Sequence, residues 1–153
     1  MSIVLNHTIV PATDKVEAAR FLADLLGLEV GAPAGPFIPL QVNDDLTLDF
    51  DDRHGVHPCH YAFLVDDGTF DALLAKVERS PEIDYGSGHP GGWDRSINQL
   101  GGGRGVYVRD PNGHAYEFFT ANPTELQRPR DDVSCPDGAS SPEAELRLAS
   151  HRY

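Results

Sequence analysis

CHYAFLVDD, residues 59–67, repeats a pattern met earlier in the chain as NHTIVPATD, residues 6–14. Each stretch places a histidine at the head of a run of strand-forming residues, and each ends on an aspartate suited to opening a helix. Superimposed, His7 stands over His60 and Asp14 over Asp67. Further on, NDDLTLDF (43–50) lies against PNGHAYEF (111–118) and brings Asp49 over Glu117, each five positions after the turn residue Asp44 or Asn112. Two stretches matching at two separate places in the same order point to an internal duplication.

Working outward, the first half reads as strand, helix, strand, strand. IVLNHTIV (3–10) is rich in β-branched residues. Residues 11–28 suit a helix: Asp14 and Glu17 form a capping box, Val16, Phe21, Leu22, Leu25 and Leu26 supply apolar faces, and Gly27 stops it. PFIPLQV (36–42) and LTLDF (46–50) are strands on either side of a turn. The second half restarts the order with HYAFLV. A helix over 66–80 follows, with Phe70, Leu73, Leu74 and Val77 at i, i+3, i+4 and i+7. A Gly/Pro-rich loop over 85–105 then leads to VYVRD, a DPNG turn and HAYEFFT.

Composition narrows the function. The chain has 153 residues, 40% of them hydrophobic, enough for one domain with its own core. A formal net charge of −12 argues against nucleic acid and anionic membranes as partners, since both reward clusters of Lys and Arg. No stretch approaches the roughly 20 apolar residues of a membrane span, and MSIVLNHTIV lacks the basic start and apolar run of a secretion signal. Cys59 and Cys135 make no disulfide framework, so a cytoplasmic setting is expected. The spacing of His54, His57, Cys59 and His60 matches no familiar zinc pattern.

Strand alternation sorts the polar residues. Leu5, His7 and Ile9 share a face, as do His60, Ala62 and Leu64, Thr47 and Asp49, and Ala115, Glu117 and Phe119. If the halves pack about a pseudo-twofold axis, His7 approaches His60 and Asp49 approaches Glu117. A single strand histidine is usually a hydrogen-bonded core residue. Two histidines and two carboxylates at symmetry-related places suit a divalent metal site with positions left open for substrate, water or oxygen.

LNHTIV, HYAFLV and GRGVYVRDPNGHAYEFFT together resemble the vicinal oxygen chelate superfamily, which includes glyoxalase I, extradiol dioxygenases, fosfomycin-modifying enzymes and bleomycin-resistance proteins. The resemblance covers residues 3–121. It implies an α+β fold of two tandem βαβββ modules, about 3–52 and 57–121, forming a half-barrel cup around a metal, and a homodimer. The domain would span 1–122, with 123–153 as a polar C-terminal extension. By motif match the metal ligands fall on His7, His60 and Glu117, and the fourth family position falls on Asp49. Aspartate is one methylene shorter than the glutamate glyoxalase I carries there, so Asp49 stands equally as ligand or as general base.

The metal would act as a Lewis acid on vicinal oxygens, and Fe²⁺, Mn²⁺, Ni²⁺, Co²⁺ and Zn²⁺ all suit the donor set. Dioxygenase chemistry on a small oxygenated organic molecule is set ahead of glyoxalase-like isomerase or lyase chemistry, because a shortened Asp49 favours a three-ligand site. Tyr107 or His89 would then serve as acid–base. Ile9 and the glycine-rich run before Tyr107 depart from the fosfomycin transferases. Metal-free drug sequestration, as in bleomycin-resistance proteins, is the non-enzymatic alternative. The loop over 85–105 is expected to act as a mobile lid, with His89, Trp93, Arg95, Asn98 and Arg104 towards substrate. Phe37, Gln41 and Thr47 would line the other module.

Overall fold

The computed structural model describes residues 2–88 and 92–121, so the extension from residue 123 and His89 lie outside the described residues. The order is β1 (His7–Pro11), α1 (Lys15–Leu26), β2 (Ile38–Gln41), β3 (Thr47–Asp51), β4 (His60–Leu64), α2 (Asp67–Arg79), β5 (Tyr85–Gly86), β6 (Gly105–Arg109) and β7 (Ala115–Phe119). The architecture is α+β. One sheet has the order β1-β3-β2 and the other β4-β7-β6-β5.

The duplication holds at the level of register. In the first sheet β1 runs parallel to β3, with His7 beside Thr47 and Ile9 beside Asp49. In the second β4 runs parallel to β7, with His60 beside Ala115 and Ala62 beside Glu117. Antiparallel β2 and β6 extend these rows to Gln41 and Pro39 in one module and to Arg109 and Tyr107 in the other.

Helix ends follow the local chemistry. The Asp14 side chain accepts from the N–H groups of Val16 and Glu17, and Gly27 closes α1 at φ 68°, a left-handed conformation that costs glycine little. The second helix is capped by Asp66, one position before the residue aligned with Asp14, through Thr69 N–H. Beneath α1 lie Val10, Leu40, Leu48 and Phe50, and beneath α2 lie Val106, Val108, Tyr116 and Phe118, all fully buried or nearly so. Burying each such side chain favours folding by about 1.5–3 kcal/mol.

Two boundaries differ from the sequence reading. The strand expected from residue 3 begins at His7, because β3 starts at Thr47, whose N–H bonds Asn6 O, and residues 2–5 have no neighbouring strand among the described residues. The loop start hides a two-residue strand, β5, on the outer edge of the second sheet. In the first module the corresponding place holds only a bond from Gly31 N–H to Pro39 O and a bridge between Ala34 and Phe37. Prolines in GAPAGP supply no N–H for a longer ladder.

The modules are joined by the DPNG turn and by the helices. Asn112 Oδ1 accepts from Thr13 N–H at 2.8 Å. Buried His114 accepts from Cys59 N–H through Nδ1 at 2.9 Å and donates through Nε2 to Pro11 O at 2.7 Å, spanning both halves. Lys76 of α2 reaches the last-turn carbonyl of Asp24 in α1, and among the described residues no helix is long and apolar enough to cross a membrane.

Candidate functional site

Each sheet keeps one face against its helix and leaves the other uncovered, and the polar residues gather on the uncovered faces. On the second sheet His60 Nε2 and Glu117 Oε2 stand 2.9 Å apart, with side chains 52% and 18% exposed. They sit on adjacent parallel strands, diagonal in register, so the longer glutamate arm reaches the ring. Tyr107, directly beside Glu117 on β6, brings its ring to 5.6 Å from that of His60. Partial burial and the neighbouring Glu117 carboxylate push its phenol up to about 12, so at neutral pH it is an O–H donor.

The first sheet repeats the arrangement with shorter parts. His7, Ile9, Thr47, Asp49, Pro39 and Gln41 occupy its uncovered face. His7 and Asp49 hold the same diagonal as His60 and Glu117, yet among the described residues they form no ion pair, as expected for an arm one methylene shorter. His7 Nδ1 instead meets Asn6 Oδ1 at 3.0 Å. Among the described residues of one chain, no three His, Cys, Asp or Glu side chains come close enough together to hold a metal ion. Thus one module supplies a His–Glu pair and the other a single histidine on a separate face.

The His–Glu pair passes a simple fit test. Two donors bound at right angles to one cation at about 2.1 Å each lie about 3 Å apart, close to the 2.9 Å observed here. An imidazole and a carboxylate are also two of the three members of the 2-His-1-carboxylate set, which suits iron and related divalent ions.

The described parts of the loop, residues 85–88 and 92–105, are tied down rather than free. Asp94 accepts from Ser87 N–H, Ser87 Oγ and Ser96 N–H, which together lower its pKa. Arg95, at φ 57°, lays its guanidinium 4.6 Å over the Tyr85 ring and reaches the carbonyls of Val77 and Glu78 at the end of α2. Asn98 donates to Ser87 O. A lid role for Arg95 and Asn98 therefore gives way to an anchoring one: their polar groups are spent on the backbone. Gly88, at φ 77°, packs so closely that a Cβ there would meet the Tyr107 ring at 2.3 Å.

Of the remaining substrate-side residues, Gln41 and Trp93 lie at or near the uncovered faces. Trp93 stacks under Arg109 at 4.3 Å, and Arg109 shares the His60–Ala115 row. Arg109 escaped the sequence reading, although alternation from Tyr107 places it on the same face. Arg104 goes elsewhere: three positions from Tyr107, it has the opposite parity. Its guanidinium lies over the Phe70 ring and pairs with Asp67 and Asp71 on α2, at 2.5 and 2.6 Å. An anion clamp would need those carboxylates to let go.

Similar solved structures place this geometry in a family. Oxidase ChaP-H2 is 44% identical, over 80% of this chain and 96% of its own, with a TM-score of 0.72. Oxidase ChaP-H1 is 47% identical, over 79% of this chain and 98% of its own, also with a TM-score of 0.72. The chain belongs to the vicinal oxygen chelate superfamily. A more distant superfamily member, the fosfomycin resistance protein FosX from Listeria monocytogenes, solved with Mn(II) and sulfate, is 15% identical over 84% of this chain and all of its own, with a TM-score of 0.62. That likeness speaks for the fold alone. No protein-family model matches the chain, and neither does any curated protein.

Proposed function

We propose that this chain is a divalent-metal-dependent oxidase of the dioxygenase type, acting as a homodimer on a small oxygenated organic molecule. The observation that carries the reading is the His60–Glu117 pair at ligand spacing on an uncovered sheet face. The oxidase names of two solved relatives above 40% identity set oxidation ahead of isomerisation. His60, Glu117 and His7 would hold the metal, which when bound supplies Lewis-acid activation of adjacent substrate oxygens and an open position for O₂.

The separation of His7 from His60 and Glu117 among the described residues of one chain supports a homodimer. His7 stands apart from His60 and Glu117, so a second copy presenting its first sheet to the second sheet of its partner completes the set. The surface suits such a contact. Ile3, Val4, Leu5, Ile9 and Leu64 are 50–88% exposed, an unusual concentration of apolar side chains around two uncovered faces. Strands β1 and β4 are both outer strands of their sheets. A cleft of about 500 Å³ lined by Leu28, Val42, Leu46, Phe63 and Leu64 runs beside β4.

The chain's own groups then have separate tasks. Glu117 and His60, which hold each other at 2.9 Å, would be the two ligands this chain's second module offers to the metal. Tyr107 keeps its proton at neutral pH and offers it to a substrate oxygen seated beside Glu117. Trp93, Arg109 and Gln41 wall the two ends of the cup and orient a flat or extended molecule. Asp49 lies across from this centre as a base or water-orienting group. In an isomerase it would carry the proton transfer instead.

Elemental analysis of anaerobically purified protein beside its His60→Ala variant tests the reading. About one transition metal per chain, lost in the variant, and O₂ uptake with catechol-like substrates would uphold it. Metal-free protein after reconstitution would sink it and favour sequestration. Metal-dependent turnover without O₂ uptake would shift the assignment to an isomerase or lyase.

A further inference from the structure

A structural difference between the duplicated modules lies one residue before each histidine. In the second module Cys59 turns away, its Sγ against His57 O at 3.3 Å. In the first, Asn6 spans two groups. Its Nδ2 reaches Asp45 O at 3.4 Å and its Oδ1 stands 3.0 Å from His7 Nδ1. Asp45 belongs to the tight turn before β3, held by Asn43 Oδ1 through the N–H groups of Asp45 and Leu46 at 2.9 and 2.8 Å. The Asn6 backbone is fixed as well, since its carbonyl accepts from Thr47 N–H at 2.9 Å.

The donor logic of these contacts runs one way. The Asp45 carbonyl only accepts, so the amide face turned to it is NH₂. The oxygen of Asn6 then faces His7, and it too only accepts, so His7 must carry its proton on Nδ1. That leaves Nε2 with a free lone pair on the uncovered face of the first sheet.

We propose that Asn6 is the positioning residue that selects the metal-binding tautomer of His7, an assignment that rests on His7 being a ligand. The turn holds Asn6, Asn6 holds the ring, and the ring presents Nε2 already deprotonated. Metal-ligating histidines depend on such a partner on the other nitrogen, and removing it weakens metal affinity by about 10–100-fold. The second module has no counterpart, because Cys59 occupies the equivalent place and His60 is held by Glu117 instead.

Nitrogen-15 NMR of the full chain, metal-free, reads the tautomer without reference to activity. The expected result is Nδ1–H on His7 in the wild type and a shift towards Nε2–H in Asn6→Ala. Titration with Co(II) should show an affinity about 10–100-fold lower in Asn6→Ala. Nε2–H on His7 in the wild type, or a tautomer indifferent to Asn6→Ala, would overturn the proposal. A His7→Ala variant separates the two levels. If it binds Co(II) as tightly as the wild type, His7 is no ligand and the fault lies in the functional reading, whatever the tautomer shows.

Discussion

His114 and Pro11 are joined by a hydrogen bond of 2.7 Å from a ring nitrogen to a backbone carbonyl 103 residues away, and the ring's other nitrogen receives the N–H of Cys59. The side chain is completely buried. One imidazole therefore fastens the end of β1 to the start of β4, the two strands that carry His7 and His60. His114→Ala would leave a carbonyl and an N–H without partners and open a cavity, costing about 3 kcal/mol. Urea unfolding should show that loss, with His114→Asn recovering part of it.

Acid should destabilise the protein through a small set of carboxylates. Arg53 donates from Nε and Nη2 to both oxygens of Asp51, each at 2.9 Å, and holds its pKa at about 2. A folded-state value below the unfolded one contributes stability that is present above about pH 4 and is lost as pH falls towards 2. Asp51→Asn should unfold more readily at neutral pH and show a shallower acid limb. An unchanged limb would assign the acid sensitivity to Asp94 and Asp66, whose pKa values are lowered as well.

Complementation tests whether the proposed site is shared between chains. His7→Ala and His60→Ala homodimers should each be inactive and metal-poor. Unfolded together and refolded, random pairing makes mixed dimers with one intact site each, restoring about a quarter of wild-type metal and turnover. If mixing restores neither, the centre lies within a chain or does not exist.

Tyr107→Phe and Arg104→Ala should part company. Losing the phenol removes the proposed proton donor while sparing the ligands, so kcat should fall by about 10²–10⁴-fold at unchanged metal content. Arg104→Ala should leave kcat within about twofold, because its guanidinium is engaged by Asp67 and Asp71 on the helix side of the sheet. Metal loss in Tyr107→Phe would mean that the ring supports His60 structurally.

Local chemistry made much of this readable in advance. Asp14 and Gly27 bracket α1 because an N-cap carboxylate and a left-handed glycine act within a few residues. Alternation put His60 and Glu117 on one sheet face, but the approaches read from the pseudo-twofold, His7 to His60 and Asp49 to Glu117, are not found within one chain among the described residues. His60 pairs with Glu117 instead. The failures came where distant contacts decide. Arg95 looked like a loop residue facing substrate until the end of α2 placed carbonyls within its reach. Arg104 drew attention by its charge, while its parity, legible in the sequence, already sent it to the helix side. Asn6 bonds a turn that no periodicity reveals, whereas alternation from Tyr107 was enough to place Arg109 and was passed over.

The outer sides of β1 and β4, edge strands of their sheets among the described residues, have a consequence for the isolated chain. Edge strands present rows of unpaired N–H and C=O groups, and natural proteins commonly blunt them with lysine, proline or bulges. Here β1 reaches Pro11 only at its far end, and Ile3, Val4 and Leu5 precede it as an uncharged, strand-prone lead-in. Newly synthesised chains therefore face a race between completing the native fold and templating fibrils with any passing β segment. Dilute, slow refolding at low temperature should win that race, and a lysine at position 3 or 5 should widen the margin.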